Sequence, residues 1–211
     1  LAVKARADGI TIATLATQLP LDSDEKADGL QSVVDGAAEL EIDRIFISAK
    51  ASEETPREQA LARLRRQAEY ARERDIVLCL ETHPPFGHNA ETALSTLSEV
   101  DSPGLKLNFD TANIYFYNRD ADAVTELKRV ASQVASVHLK ETNGGYHSNH
   151  FPVFGHGIVD FPTVFEILGG EGFEGPYTME LEGPAVQGLT PTERIGFLRE
   201  CVEYLDRVGV K

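Results

Sequence analysis

The chain has 211 residues, 26% charged and 42% hydrophobic, the balance of a folded soluble domain with a core to bury. A formal net charge of −14 argues against a nucleic-acid backbone as partner, and two cysteines give no disulfide framework. No apolar run approaches the roughly 20 residues of a membrane span and no signal-peptide pattern is present, so a cytoplasmic protein is expected.

The opening Ala-Val-Lys-Ala-Arg-Ala-Asp-Gly reads as the tail of a helix closed by Gly9. Strands are predicted at Ile10–Thr14, Arg44–Ser48, Ile76–Glu81, Leu105–Asp110, Val134–Leu139 and Tyr177–Leu181. Helical patterns lie between them. Thr55-Pro56-Arg57-Glu58 and Thr190-Pro191-Thr192-Glu193 each predict a capping box with proline at the first helical position. After the first, Leu61, Leu64, Ala68 and Ala71 recur at helical spacing. Asn89 and Asp120 are the expected caps of the helices after the third and fourth strands. The basic stretch of Arg63, Arg65, Arg66, Arg72 and Arg74 is interrupted by Glu69 and Glu73 and reads as a solvated helix face. Cys79 and Cys201 fall in apolar patterns and are expected to be buried.

Strand and helix alternate without hairpin signals, which means a parallel sheet. Two residues before the polar end of four of these strands stand Cys79, Asn108, Ser136 and Thr178, all small. The opposite parity carries Leu78, Leu80, Leu107, Phe109, Val137, Leu139, Met179 and Leu181. A small, mostly polar face backed by a greasy one is what a closed barrel requires, whereas an open doubly wound sheet is apolar on both faces. A glycine-rich phosphate turn after the first strand is absent. The expected fold is therefore α/β, a TIM (β/α)8-type barrel over residues 1–211 as a single domain. Six of its eight strands are visible, so the chain reads as N-terminally incomplete, lacking the first two β/α units.

Four strand ends carry the chemistry. Glu81 closes Ile-Val-Leu-Cys-Leu-Glu, Asp110 closes Leu-Lys-Leu-Asn-Phe-Asp, His138 sits in Val-Ala-Ser-Val-His-Leu, and Glu180 in Tyr-Thr-Met-Glu. All are residue types that ligate a hard divalent metal. Placed at the carboxyl ends of successive parallel strands, they aim at one point. His83 and Lys140 lie two residues beyond Glu81 and His138 and are expected to face the same pocket. His88, His147 and His150 fall in glycine- or proline-containing loops and read as surface residues, and Glu182 as a strand cap. Tyr115, Phe116 and Tyr117 form an aromatic run expected to pack under the adjoining loop.

At Leu-Glu-Thr-His, Asn-Phe-Asp-Thr-Ala-Asn, Val-His-Leu-Lys-Glu, Phe-Gly-His-Gly-Ile-Val-Asp-Phe and Met-Glu-Leu-Glu, the chain resembles the sugar isomerase/epimerase superfamily of xylose isomerase-like TIM barrels. That superfamily holds ketose 3-epimerases, inosose isomerases and dehydratases, and dehydroshikimate dehydratases, with endonuclease IV as a distant relative. The resemblance implies one divalent metal ion (Mn, Mg, Co or Zn) held by Glu81, Asp110, His138 and Glu180. It further implies that Glu81 and Glu180 move protons on a keto-sugar, cyclitol or sugar phosphate through an enediolate. His83, Asn113, Lys140 and His156 are the implied substrate-binding positions. Lys140 has two open roles, neutralising an enediolate or phosphate oxygen, or pairing with a metal-ligating acid.

The chain departs from the standard ketose 3-epimerase pattern at Asn113 (a histidine there), Gly144 (an arginine) and His156 (an acidic or amide residue). The substrate-facing residues therefore leave a second chemistry open, a metal-dependent lyase or dehydratase using the same enolate. A non-catalytic subunit and an endonuclease IV-like nuclease are further alternatives. The expected partners are a small sugar or cyclitol, with no nucleic acid and no membrane, and a homo-oligomer is possible.

Overall fold

A computed structural model describes residues 2–209 of the chain. Its elements in chain order are α1 (Ala2–Ala7), β1 (Leu15–Pro20), α2 (Asp24–Asp28), α3 (Leu30–Glu39), β2 (Arg44–Lys50), α4 (Arg57–Arg72), β3 (Val77–Glu81) and α5 (Ala90–Val100). There follow β4 (Leu105–Asp110), α6 (Asn113–Tyr117), α7 (Ala123–Val130), β5 (Val134–Leu139), α8 (Phe161–Gly170), β6 (Tyr177–Met179), α9 (Pro184–Gln187) and α10 (Pro191–Val208). The six strands run in the order β1-β2-β3-β4-β5-β6. The pairings β1–β2, β2–β3, β3–β4 and β5–β6 are all parallel. Sequential parallel neighbours with helical crossovers are the βα succession expected from the sequence.

The chain forms two compact units, one of Leu1–Gly87 with Glu91–Asn108 and one of His88–Ala90 with Phe109–Lys211. In the first, Leu19, Ile45, Ile47, Leu78 and Leu80 are buried from the strands and Leu61, Leu64 and Ala68 from α4. Arg65, Arg66 and Arg72 of α4 are exposed, as expected, and part of the basic run is also paired: Arg63 with Asp24, Arg66 with Asp28 and, just past the helix, Arg74 with Asp35, at 2.7–2.8 Å, the acids coming from α2 and α3. In the second unit Phe109, Val137, Leu139, Phe154, Phe161 and Val164 make the core. Cys79 and Cys201 are both buried and free, as expected.

Several boundaries differ from the sequence-based expectation. The first strand is Leu15–Pro20, not Ile10–Thr14. Register with β2 begins at Leu15↔Ile45, and Leu19 supplies the buried side chain while Ile10 is 59% exposed. Thr55 does not cap α4. Pro56 is extended and occupies the N-cap itself, while the Thr55 hydroxyl donates to Asp22 Oδ1 at 3.1 Å. The cap of α7 is Asp122, which accepts the N–H of Thr125, and Asp120 instead takes a positive φ of 56° in the preceding turn. β6 ends at Met179, two residues short of the expected Leu181. Other signals hold. Thr190 and Glu193 form the reciprocal capping box, and Gly9 takes φ +73° after α1, with Ile10 N–H on Ala5 O at 2.8 Å.

Candidate metal centre

Three of the four strand-end residues lie in the second unit. Asp110 is the last residue of β4, His138 the penultimate residue of β5, and Glu180 follows β6 directly. Although β6 is short, the N–H of Glu180 still bonds Leu139 O at 2.9 Å, so it stays in strand register beside β5. Thr111 joins the ends of β4 and β5. Its hydroxyl donates to Lys140 O at 2.7 Å and accepts the Lys140 N–H at 3.0 Å.

Asp110 is fully buried, and its Oδ1 accepts the N–H groups of Ala112 (2.9 Å) and Asn113 (2.8 Å) at the start of α6. Its other oxygen is 3.4 Å from Lys140 Nζ. His138 Nδ1 lies 3.3 Å from Glu180 Oε2. The Lys140 ammonium, 2% exposed, is 2.9 Å from that same Glu180 oxygen, 2.6 Å from Glu182 Oε1 and 3.4 Å from Asn113 Oδ1.

Burial pushes the Asp110 carboxyl up to about 7 against the pull of Lys140, and the neighbouring Glu180 charge adds to the rise. Burial acts on Glu180 in the same direction, but His138, Asp110 and Lys140 outweigh it and hold that carboxyl well below its usual range. Two acids in one pocket thus split, one toward the protonated form and one ionised. Desolvation alone would lower Lys140, yet Asp110, Glu180 and Glu182 hold it above its ordinary value.

Glu81 ends β3 opposite Asn108, two residues before Asp110 along β4. Glu81, Asp110, His138 and Glu180 each offer one ligand atom, and these atoms all lie within 4.8 Å of one another. Metal–oxygen and metal–nitrogen bonds of about 2.0–2.6 Å set opposite ligands roughly 4–5 Å apart, so the donor set fits a single ion. Three carboxylates and one imidazole favour a hard or borderline divalent cation.

The remaining expected residues are placed unevenly. Asn113 and Lys140 are drawn into the cluster, where Lys140 pairs with Asp110, Glu180 and Glu182. His83 is half-buried, with Nδ1 2.6 Å from Pro84 O. His156 is exposed on a turn, its backbone N–H on Val153 O.

Sequence reasoning missed Glu141, Thr111 and the pairing of Glu182 with Lys140. The Glu141 carboxylate, 1% exposed, accepts the N–H groups of Thr142 (3.0 Å), Gly155 (2.9 Å) and Val159 (3.0 Å). It pins the turn that carries His156. The one signal available was a second charged residue directly after Lys140 at a strand end, where the alternate face is normally apolar.

The fold and these strand ends define a recognisable class. Residues 2–206 match the Xylose isomerase-like TIM barrel family, and the chain belongs to it. An L-ribulose-5-phosphate 3-epimerase of Escherichia coli is 30% identical over 130 residues, covering 59% of this chain and 44% of the relative. The match therefore spans less than half the length of that relative. Among solved structures, a xylose isomerase domain protein from Planctomyces limnophilus superimposes with a TM-score of 0.80 at 20% identity, over 98% of this chain and 80% of the other. An L-ribulose 3-epimerase gives a TM-score of 0.78 at 18% identity, over 98% and 77%. At such identities these two structures speak to the fold. Among the described residues no helix is long and apolar enough to cross a membrane.

Proposed function

We propose that the chain carries the active site of a divalent-metal-dependent epimerase or isomerase of a keto-sugar, cyclitol or sugar phosphate. The observation that carries this reading is the convergence of Glu81, Asp110, His138 and Glu180 on one set of ligand atoms within 4.8 Å. The relation to an L-ribulose-5-phosphate 3-epimerase supports the same chemistry.

An ion held there supplies Lewis-acid polarisation of a carbonyl and its neighbouring hydroxyl, which acidifies the adjoining C–H. The chain's own groups do the rest. One glutamate carboxylate, Glu81 or Glu180, accepts the proton as the C–H bond breaks, and the electron pair passes into an enediolate of the substrate. The other carboxylate returns a proton to the opposite face, which inverts that centre with no net loss of atoms. Asp110, held by two backbone N–H groups, and His138 fix the geometry of the site. Lys140 pairs with Glu180 and holds its side chain in place.

Incubating the protein with Mn2+ and a panel of ketoses and ketose phosphates in D2O, followed by proton NMR, tests this directly. Deuterium at the inverted carbon with the carbon skeleton intact is the expected result, lost on chelation. An unsaturated product would instead establish the lyase chemistry that Asn113 and Gly144 leave open. No exchange on any ketose with the ion bound would refute the two-base scheme.

A further inference from the structure

Glu182 stands outside the four-residue donor set, yet its Oε1 lies 2.6 Å from the Lys140 ammonium. The lysine is buried and the glutamate half exposed, so the pair runs from the carboxylate cluster out to solvent. Close packing brings Glu182 there. Gly183, the next residue, takes φ +77°, and a Cβ at that position would meet Phe151 Cδ2 at 2.8 Å. The Phe151 ring in turn has Lys140 Nζ 5.1 Å from its centroid. Ring and glutamate flank one ammonium, and the glycine beside them lets the chain come this close.

An ammonium has three N–H groups, and four oxygens surround this one. Those of Glu182 (2.6 Å) and Glu180 (2.9 Å) are near, while Asp110 Oδ2 and Asn113 Oδ1 stand back at 3.4 Å. Glu180 and Asp110 also belong to the donor set. An ion that claims their lone pairs leaves the ammonium with Glu182 and Asn113. The amide of Asn113 offers an acceptor but no charge.

A buried cation stripped of its counter-ions is strongly disfavoured. Without Glu182, lysine and ion would compete for the same two carboxylates. With it, the lysine has an anion of its own.

We infer that Glu182 is a positioning residue for the metal centre: it is the counter-ion reserved to Lys140, which lets a divalent cation share Glu180 and Asp110 while the ammonium stays beside them. The inference rests on the metal centre of the proposed function and not on the reaction run there.

Isothermal titration of Mn2+ into the wild type, Glu182→Gln, Lys140→Met and the double variant tests it, with folding checked by circular dichroism. Glu182→Gln keeps an acceptor oxygen and removes the charge. For a half-exposed partner, Mn2+ binding is expected to weaken by about tenfold. Lys140→Met removes the competitor, and on that background Glu182→Gln should change the affinity by less than about twofold. Raising KCl from about 0.1 M to about 1 M shortens the screening length from about 10 Å to about 3 Å. The ratio between wild type and Glu182→Gln should survive that change, because a direct contact is hardly screened.

Unchanged Mn2+ affinity in Glu182→Gln overturns the inference. So does an equal loss with and without Lys140, which is the mark of a general acidic field. A ratio that collapses at high salt overturns it too, and decides the matter alone where Lys140→Met does not fold. A wild type that binds no Mn2+ removes the metal centre and this inference with it. The expected coupling, with no ketose epimerised, leaves Glu182 in its role and removes only the epimerase reading.

Discussion

The Lys140 ammonium and Glu180 share a short ion pair, 2.9 Å from Nζ to Oε2, on the carboxylate oxygen that also lies 3.3 Å from His138 Nδ1. A fixed cation therefore sits beside two of the four ligands proposed for a divalent ion. Two unit charges 4 Å apart interact by about 4 kcal/mol at an effective dielectric of 20, so Lys140 opposes ion binding while it orders Glu180. Lys140→Met is expected to tighten Mn2+ binding by about tenfold at pH 8, read by calorimetry, and to lower turnover more than tenfold. Weaker ion binding in that variant would show that Lys140 serves the ligands mainly by positioning them.

Glu180 and Glu81 are asked to do different work from Asp110. Asp110 spends one oxygen on two backbone N–H groups, which makes it a poor mobile base and a good fixed ligand. Glu180→Gln keeps the shape and removes the proton acceptor. Turnover is expected to fall by about 10²–10⁴, with Mn2+ still bound, though more weakly. Metal analysis after dialysis, run beside the NMR assay, separates loss of the base from loss of the ion. Full turnover in Glu180→Gln would remove it from the proton path.

The strand-end residues were legible because each closes a short apolar run, and alternation along a strand fixes which neighbours share its face. β4 and β5 have the expected bounds for the same reason. The misplaced β1 has another cause. Ile10 and Ile12 carry the apolar signal, but pairing with β2 starts only at Leu15, so tertiary register overrode local pattern. Thr111 was invisible and Glu141 signalled only by its charge after Lys140, because their roles are side-chain-to-backbone bonds across loops, which no periodicity encodes. Thr55 misled because its hydroxyl had a competing partner, Asp22, 33 residues away.

Glu141 accepts three backbone N–H groups, two of them in the buried residues Thr142 and Val159, and its removal leaves those two without an acceptor. Glu141→Ala is expected to destabilise the protein by about 2–5 kcal/mol in urea denaturation, since each orphaned buried group costs about 1–3 kcal/mol. Glu141→Gln keeps an acceptor and costs less. Gly157→Ala gives an independent check, because the added Cβ meets Thr142 O and the Glu141 carboxylate. It should be destabilising in the wild type and less so on the Glu141→Ala background. Additive effects would mean that the Thr142 carbonyl, not the Glu141 carboxylate, limits a side chain at 157.

Asp22 plays a similar part in the first unit, where its Oδ1 accepts the Ser52 N–H at 2.8 Å and the Thr55 hydroxyl at 3.1 Å. The Ser52 backbone bond is the main reason its carboxyl is lowered from 3.8 to about 2. The sign follows from linkage. A carboxyl depressed in the folded state contributes stability that is fully present above its unfolded value and is lost as pH falls through the folded one. The advantage of the wild type over Asp22→Asn, measured by thermal melting, should be constant from neutral pH down to about 5, shrink as pH falls from there through about 2, and be gone about one pH unit below that. The comparison cancels the other carboxylates that titrate in the same window. A gap that persists unchanged at pH 2 would mean that the Asp22 charge contributes nothing to holding Ser52 and Thr55, and that shape alone does.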